Sequence, residues 1–295
     1  MAPYKAGYIS ILGRPNVGKS TLLNRLVGDK VAIVSPRPQT TRNRILGIKN
    51  VEGAQLIFID TPGIHDRPSV LNRLLVSTAL ASGQDADILL FLVEASAPLF
   101  EKDKKMIESL KATKGVPFLV INKIDLVKKE SLLPMIDRYQ ELLPFREIIP
   151  VSATTGDGVD LLTDIIAQHL PESPPYYPED TLTDQTERFL VAELIREKVI
   201  QHAYQEIPYS TAVTIEEFKE HPEKNLIVIQ GTLHVEKDSQ KKIMIGRGGQ
   251  KLRAIGEAAR KEIEARLGRR IYLELWVNVE KDWTENPRFL KRLGY

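Results

Sequence analysis

Cysteine is absent from the 295 residues, which removes disulfides, thiolate metal sites and cysteine nucleophiles and fits a reducing cytosol. Long apolar runs are missing as well. The longest, Ile88 to Val93, is far too short to cross a bilayer, and Met1 to Tyr8 lacks the apolar stretch of a signal peptide. Neither sign of charge prevails: 41 Lys+Arg stand against 39 Asp+Glu, so bulk charge selects no partner. The five histidines, His65, His169, His202, His221 and His234, are scattered without ligand spacing, and no zinc site is expected. A cytoplasmic protein is expected, and its 42% apolar and 27% charged residues match a globular composition rather than a disordered one.

What is present exceeds one ordinary domain in length, and its pattern changes partway. Between Gly7 and Leu170, short apolar strands (Tyr8 to Leu12, Leu56 to Ile59, Ile88 to Val93, Phe118 to Ile121, Glu147 to Pro150) alternate with helical stretches. Strands that read as continuous apolar runs belong to parallel sheets covered on both faces, and such sheets bind ligands at their carboxyl ends. Pro171 to Asp180 holds four prolines in ten residues and can continue neither helix nor central strand. The expected organisation is a doubly wound, mostly parallel α/β domain over 1–173, a Pro-rich linker over 174–181, and a smaller α+β domain over 182–295. In the last, the order reads αββααβ. Residues 237–270 carry 11 Lys+Arg against 4 Asp+Glu, an excess that suits an acidic partner, although a solvated helix face reads the same way.

Gly13 to Ser20, GRPNVGKS, fits the phosphate-loop pattern directly after a strand and before a helix opening at Thr21. Gly13, Asn16, Val17 and Gly18 shape a loop whose N–H groups face phosphate oxygens; Lys19 reaches the β- and γ-phosphates, and Ser20 is the expected magnesium ligand. Asn122-Lys123-Ile124-Asp125 selects the base. Guanine offers adjacent N1–H and N2 donors that one carboxylate accepts together, whereas adenine would leave Asp125 buried and unpaired, at a cost of about 1–3 kcal/mol. Asp60-Thr61-Pro62-Gly63 ends the intervening strand, where Asp60 holds magnesium through water and the Gly63 amide touches the γ-phosphate. Ser152-Ala153-Thr154 completes the guanine pocket through backbone groups. In Gln39-Thr40-Thr41-Arg42 a hydroxyl completes the metal site when GTP is bound, from Thr41 or, alternatively, Thr40.

These segments resemble, in order, the translation-factor class of GTPases, which implies GTP, magnesium and hydrolysis to GDP, with Lys19, Thr41 and Gly63 in catalytic positions. Ile64 follows Gly63 where small signalling GTPases carry a water-orienting glutamine, so slow intrinsic turnover is expected. A partner, backbone groups or a potassium ion near Asn16 would complete catalysis; Asn16 equally suits the loop's backbone angles.

Gly246-Arg247-Gly248-Gly249, between the two later helices, looks like the G-x-x-G clamp of a type II KH domain, which holds about four nucleotides. Lys251 adds charge beside it, and Ile243, Ile245, Leu252 and Ile255 are the expected apolar groove floor. With IREKV at Ile195 to Val199, YLELWV at Tyr272 to Val277 and Asp282-Trp283, the chain resembles the Era-like GTPases end to end. That resemblance implies recognition of the 3′ end of small-subunit ribosomal RNA, a role in small-subunit assembly and a monomer; peripheral association with the inner membrane face stays open. For Trp283 to Tyr295, RNA contact and packing on the domain are equal readings. Two rivals remain at this level: an RNA-binding module that senses nucleotide with negligible hydrolysis, and a P-loop ATPase or kinase, against which NKID argues.

Overall fold

A computed structural model describes residues 3–35, 37, 40–62, 69–75, 77, 86–203 and 206–295. The chain divides into two compact units between Asp184 and Gln185. Among the described residues no helix is long and apolar enough to cross a membrane.

The first unit is built on strands β1 (Lys5–Gly13), β2 (Ile45–Val51), β3 (Ala54–Asp60), β4 (Ile88–Glu94), β5 (Val116–Asn122) and β6 (Glu147–Pro150). They form one sheet in the order β2-β3-β1-β4-β5-β6. Only β2, at the edge, runs antiparallel, against β3. Every residue of β3 and all but the last of β4 are buried, as expected when helices cover both faces. Helices α1 (Lys19–Val27), α2 (Glu101–Leu110), α3 (Leu132–Gln140) and α4 (Val159–His169) are among those in this unit. The register aligns the carboxyl ends: Ile11 pairs with Asp60, Gly13 with Leu92, Glu94 with Asn122 and Ile121 with Pro150. All the loops expected to hold nucleotide therefore leave the sheet along one edge.

The proline-rich segment departs from the expected linker. Gln55 on β3 is fully buried, and its carboxamide donates to the Tyr177 carbonyl at 2.9 Å and to Asn50 Oδ1 at 2.9 Å. The same group accepts from the amides of Tyr176 and Tyr177 at 2.8 and 3.0 Å. Asn50 donates to the Glu179 carbonyl, the Ile48 amide to the Leu182 carbonyl, and Thr183 Oγ1 to the Leu46 carbonyl. The chain is thus bound to the first unit through Thr183, not free over 174–181. Proline forbids helix and central strand but not an extended path along an edge strand, whose outer backbone groups need partners.

The second unit contains α5 (Glu187–His202), β7 (Ala212–His221), β8 (Leu226–Val235), α6 (Asp238–Ile245), α7 (Gln250–Leu267), β9 (Arg270–Val279) and α8 (Pro287–Arg292). The order αββααβ is followed by a short terminal helix. The sheet runs β7-β8-β9, with β8 and β9 parallel. Its core joins Val191, Ile195 and Val199 of α5 to Ile229 and Leu233 of β8 and to Ile255, Ala259 and Ile263 of α7. The three- and four-residue spacing of those α7 residues places one stripe inward.

Candidate functional site

The phosphate loop needs its glycines. Gly13 has φ of 147° and Gly18 of 98°; a Cβ on the first would lie 2.4 Å from the Leu92 carbonyl, and on the second 2.3 Å from Asn122 Nδ2. Asn16 takes φ of 64°, a conformation Asn adopts more readily than most side chains. Lys19 opens α1 and is buried, its Nζ donating to the carbonyls of Gly13 and Arg14 at 3.0 Å each. Burial pushes its pKa down to about 8, against the pull of the Asp60 carboxylate. A cleft of about 300 Å³ opens here, lined by Asn16, Lys19, Ser20, Thr21, Thr41 and Lys123 among others.

Three oxygens converge beneath it. Ser20 Oγ and Thr41 Oγ1 lie 2.8 Å apart, and both donate to Asp60 Oδ2, at 2.7 and 3.1 Å. Asp60 is wholly buried, and its Oδ1 has no hydrogen-bond partner. Burial raises its pKa, with Lys19 and the two hydroxyls opposing. Two hydroxyls and a carboxylate with an unpartnered buried oxygen are the hard donor set that suits magnesium. Thr40 donates instead to the Arg37 carbonyl at 2.7 Å, so Thr41 is the hydroxyl that meets Ser20 and Asp60. Thr61 is tied to the Ile11 carbonyl, and Pro62 is buried beside it. Gln39, Gly63 and Ile64 lie outside the described residues.

On the base side, Asn122 is buried and spans two loops, donating to the Val17 carbonyl at 2.8 Å and accepting from the Ala153 amide at 3.0 Å. Lys123, at φ of 64°, pairs with Glu94 at 2.8 Å. Partial burial works to raise the Glu94 pKa, but the bonds from Lys123 and Ser96 hold it below the usual range. Asp125 is exposed, so the burial expected of it arises only beneath a base. Ser152 is buried, its Oγ accepting from the Thr155 amide; Thr154 is exposed.

Several residues here carried no sequence signal. Arg25 on α1 donates to the carbonyls of Ala153 and Thr154. Arg14 pairs with the buried Asp103 at 2.7 Å and lies 4.0 Å over the Phe100 ring. Asp103 in turn accepts from the Phe100 amide at the start of α2 and from the Tyr139 hydroxyl. Their partners are distant in sequence, so no local pattern marks them.

In the second unit Gly246, Gly248 and Gly249 all take positive φ, of 73°, 59° and 76°. A Cβ at Gly246 would meet Lys251 Cβ at 2.7 Å, whereas at Gly248 and Gly249 it would meet nothing within 4 Å. The outer two therefore leave room for another backbone to approach, with Arg247 exposed between them and Gly246. A groove of about 330 Å³ runs from Gly249 past Leu252, Arg253 and Gly256 of α7 to Leu273 and Leu275 of β9. This corrects the expected floor. Ile255 is wholly buried in the core, Ile245 packs on that core, and Ile243 is 47% exposed, so only Leu252 of the four lines the groove. The opposite wall comes from β9, which no spacing within the helices could reveal. In the tail, Trp283 is buried with its Nε1 donating to the Ser210 carbonyl at 2.9 Å, and its ring centroid lies 6.2 Å from that of Phe289. The tail is packed on the domain.

Residues 8–123 match the family of 50S ribosome-binding GTPases, and residues 206–284 match the KH domain. The chain is 53% identical over 292 residues to GTPase Era of Syntrophus aciditrophicus (strain SB), covering 99% of this chain and 95% of that protein. It is 52% identical over 293 residues to GTPase Era of Geobacter metallireducens, covering 99% and 98%. Among solved structures, Era in complex with MgGDPNP and nucleotides 1506–1542 of 16S ribosomal RNA matches with a TM-score of 0.96 at 43% identity, covering 99% of both chains. An Aquifex aeolicus Era variant bound to GDP·AlF4⁻ matches with a TM-score of 0.95 at 43% identity and the same coverage.

Proposed function

Because the chain belongs to the Era family of GTPases, we propose that it binds GTP with magnesium, hydrolyses it to GDP, and binds small-subunit ribosomal RNA near its 3′ end during small-subunit assembly. The observation that carries the reading is the convergence of Ser20, Thr41 and the unpartnered oxygen of buried Asp60 beside Lys19, at the mouth of a phosphate loop.

In this reading Gly13 to Thr21 surround the phosphates with backbone N–H groups, and Lys19 leaves its two carbonyl partners for the β- and γ-phosphate oxygens. Ser20 and Thr41 hold the metal directly and Asp60 through water, with Thr61 and Pro62 positioning Asp60. Magnesium, when bound, neutralises charge developing on the β- and γ-oxygens. The Gly63 amide contacts the γ-phosphate. Asp125 accepts the two guanine donors, Lys123 covers the ring, Asn122 keeps the phosphate and base loops together, and Ser152, Ala153 and Thr154 close the pocket. With Ile64 in the glutamine position, intrinsic hydrolysis is slow, and a potassium ion near Asn16 or the bound RNA accelerates it. Gly246, Arg247, Gly248, Gly249 and Lys251 clamp four nucleotides against Leu252, Leu273 and Leu275. The protein acts as a cytoplasmic monomer.

Phosphate release over many turnovers tests this, in potassium and in sodium, with and without a short RNA carrying the 3′ end of small-subunit ribosomal RNA. Slow release, accelerated by potassium and by that RNA but not by a scrambled one, is expected. No release at all would leave a nucleotide sensor, and fast release indifferent to both additions would remove the slow-switch reading.

A further inference from the structure

The groove takes about four nucleotides, and the edge strand that forms its far wall has a second side. Along β9 the side chains alternate: Ile271 and Val277 are buried in the core, and Leu273 and Leu275 line the groove. By the same alternation Arg270, Tyr272, Glu274, Trp276 and Asn278 fall on the opposite face of the sheet, where α8 covers the His234–Asn278 end through Phe289. Tyr272 is 54% exposed and Trp276 45%. Among the described residues they are the large aromatic side chains left exposed in this unit.

We propose that Tyr272 and Trp276 form a stacking subsite for single-stranded RNA, which extends the path of the chain held in the adjacent groove. The proposal rests on the RNA-binding reading of that groove. Four strand steps separate the two rings by about 13 Å, room for a base on each with backbone between them. The row between the rings, Glu217, Gln230 and Glu274, is polar and acidic, so the two aromatics do not form a continuous apolar patch. Lys219, Val228 and Tyr272 stand in one row across the sheet, and Thr214, Thr232 and Trp276 in another. Exposed Lys219 and Arg270 supply charge for phosphate near the Tyr272 end. Separated aromatic rings with cations at one end, continuous with the adjacent groove, suit a nucleic-acid strand, whereas a protein partner would select a contiguous apolar surface. Glu274 lies between the rings and accepts from Gln230 Nε2 at 3.3 Å. Its carboxylate has the polarity that accepts an exocyclic amino group such as that of cytosine, so an amino base is favoured there over uracil.

The test compares two unstructured RNAs on the full-length protein, one of four nucleotides and one of ten that contains the same four and continues with cytosines on both sides. Trp276→Ala and Tyr272→Ala are expected to bind the four-nucleotide RNA as the unaltered protein does. Each should lose about 5- to 100-fold in affinity for the longer one, with Trp276→Phe retaining most of it. A second readout uses the two tryptophans, of which Trp283 is buried. The longer RNA should quench emission in the unaltered protein and not in Trp276→Phe. Unchanged affinity of both alanine variants for the longer RNA, an equal loss for both RNAs, or quenching that persists in Trp276→Phe would overturn the subsite. Failure of the unaltered protein to bind either RNA would instead remove the RNA-binding reading of the groove, and the subsite with it.

Discussion

The cleft of the first unit and the groove of the second are built by opposite means. The cleft is assembled at strand ends from buried polar atoms: Lys19 against two carbonyls, Asp60 under two hydroxyls, Asn122 between two loops. Two of these groups have displaced proton affinities. The groove is open, lined by leucines and glycines with Arg253, Glu257 and Arg260 at its margins, and its glycine loop leaves room for another backbone to approach. One site is preorganised electrostatics, in which each atom is costly to lose. The other is shape, in which affinity is spread over many small contributions. Reactions need the first kind, because charge develops at fixed points in a transition state. A flexible polymer is held well enough by the second.

That contrast is breakable, most severely at Lys19. Lys19→Ala should lower GTP turnover by roughly 100- to 1,000-fold, the usual loss for one preorganised charge donor, while RNA affinity stays within twofold, as phosphate release and a filter-binding titration would register. Asp125→Asn comes next. Guanine affinity should fall roughly 10- to 100-fold, and a xanthine nucleotide, which presents a carbonyl where guanine has an amino group, should bind the variant better than GTP does in competition.

A smaller effect separates the sites by pH. The Lys19 pKa lies at about 8, below the 10.5 of an unburied lysine, so Lys19 loses its proton as pH rises through 8. Phosphate favours the charged form. GTP affinity should therefore decline above pH 8, by at most about tenfold per pH unit for a single proton, in a titration with a fluorescent GTP analogue. Folding responds in the other direction: between pH 8 and 10.5 the unfolded chain binds the extra proton, so this group's contribution to stability improves as pH rises. Over the same range RNA affinity should drift little. Gly256→Val gives the mildest change. A Cβ at Gly256 meets only Leu275, at 3.7 Å, so the valine narrows the groove without unfolding it. RNA affinity should drop by about tenfold or less with GTP turnover unaltered; an equal loss in both assays would blur the distinction drawn above.

The cleft was more legible than the groove for a related reason. Phosphate, metal and base contacts sit in contiguous segments at strand ends, so Gly13 to Ser20, Asn122 to Asp125 and the αββααβ order could be read directly. What could not be read lies where contacts cross long stretches of sequence. Arg14 finds Asp103, Arg25 finds Ala153, and the groove's second wall comes from β9. Helical spacing in Ile243 to Ile255 showed which residues are apolar but not whether a given one faces core or groove, and Ile255 proved to be core. The proline-rich segment was recognised by its backbone chemistry, yet its attachment depended on Gln55, more than a hundred residues away.

Gln55 holds that segment through main-chain atoms alone, the amides of Tyr176 and Tyr177 and one carbonyl. Every chain offers those atoms whatever its side chains, proline's missing amide excepted. Sequence drift in the segment can therefore leave these three bonds in place. The constraint falls on Gln55 itself, where glutamate has the right shape but cannot donate and leucine does neither.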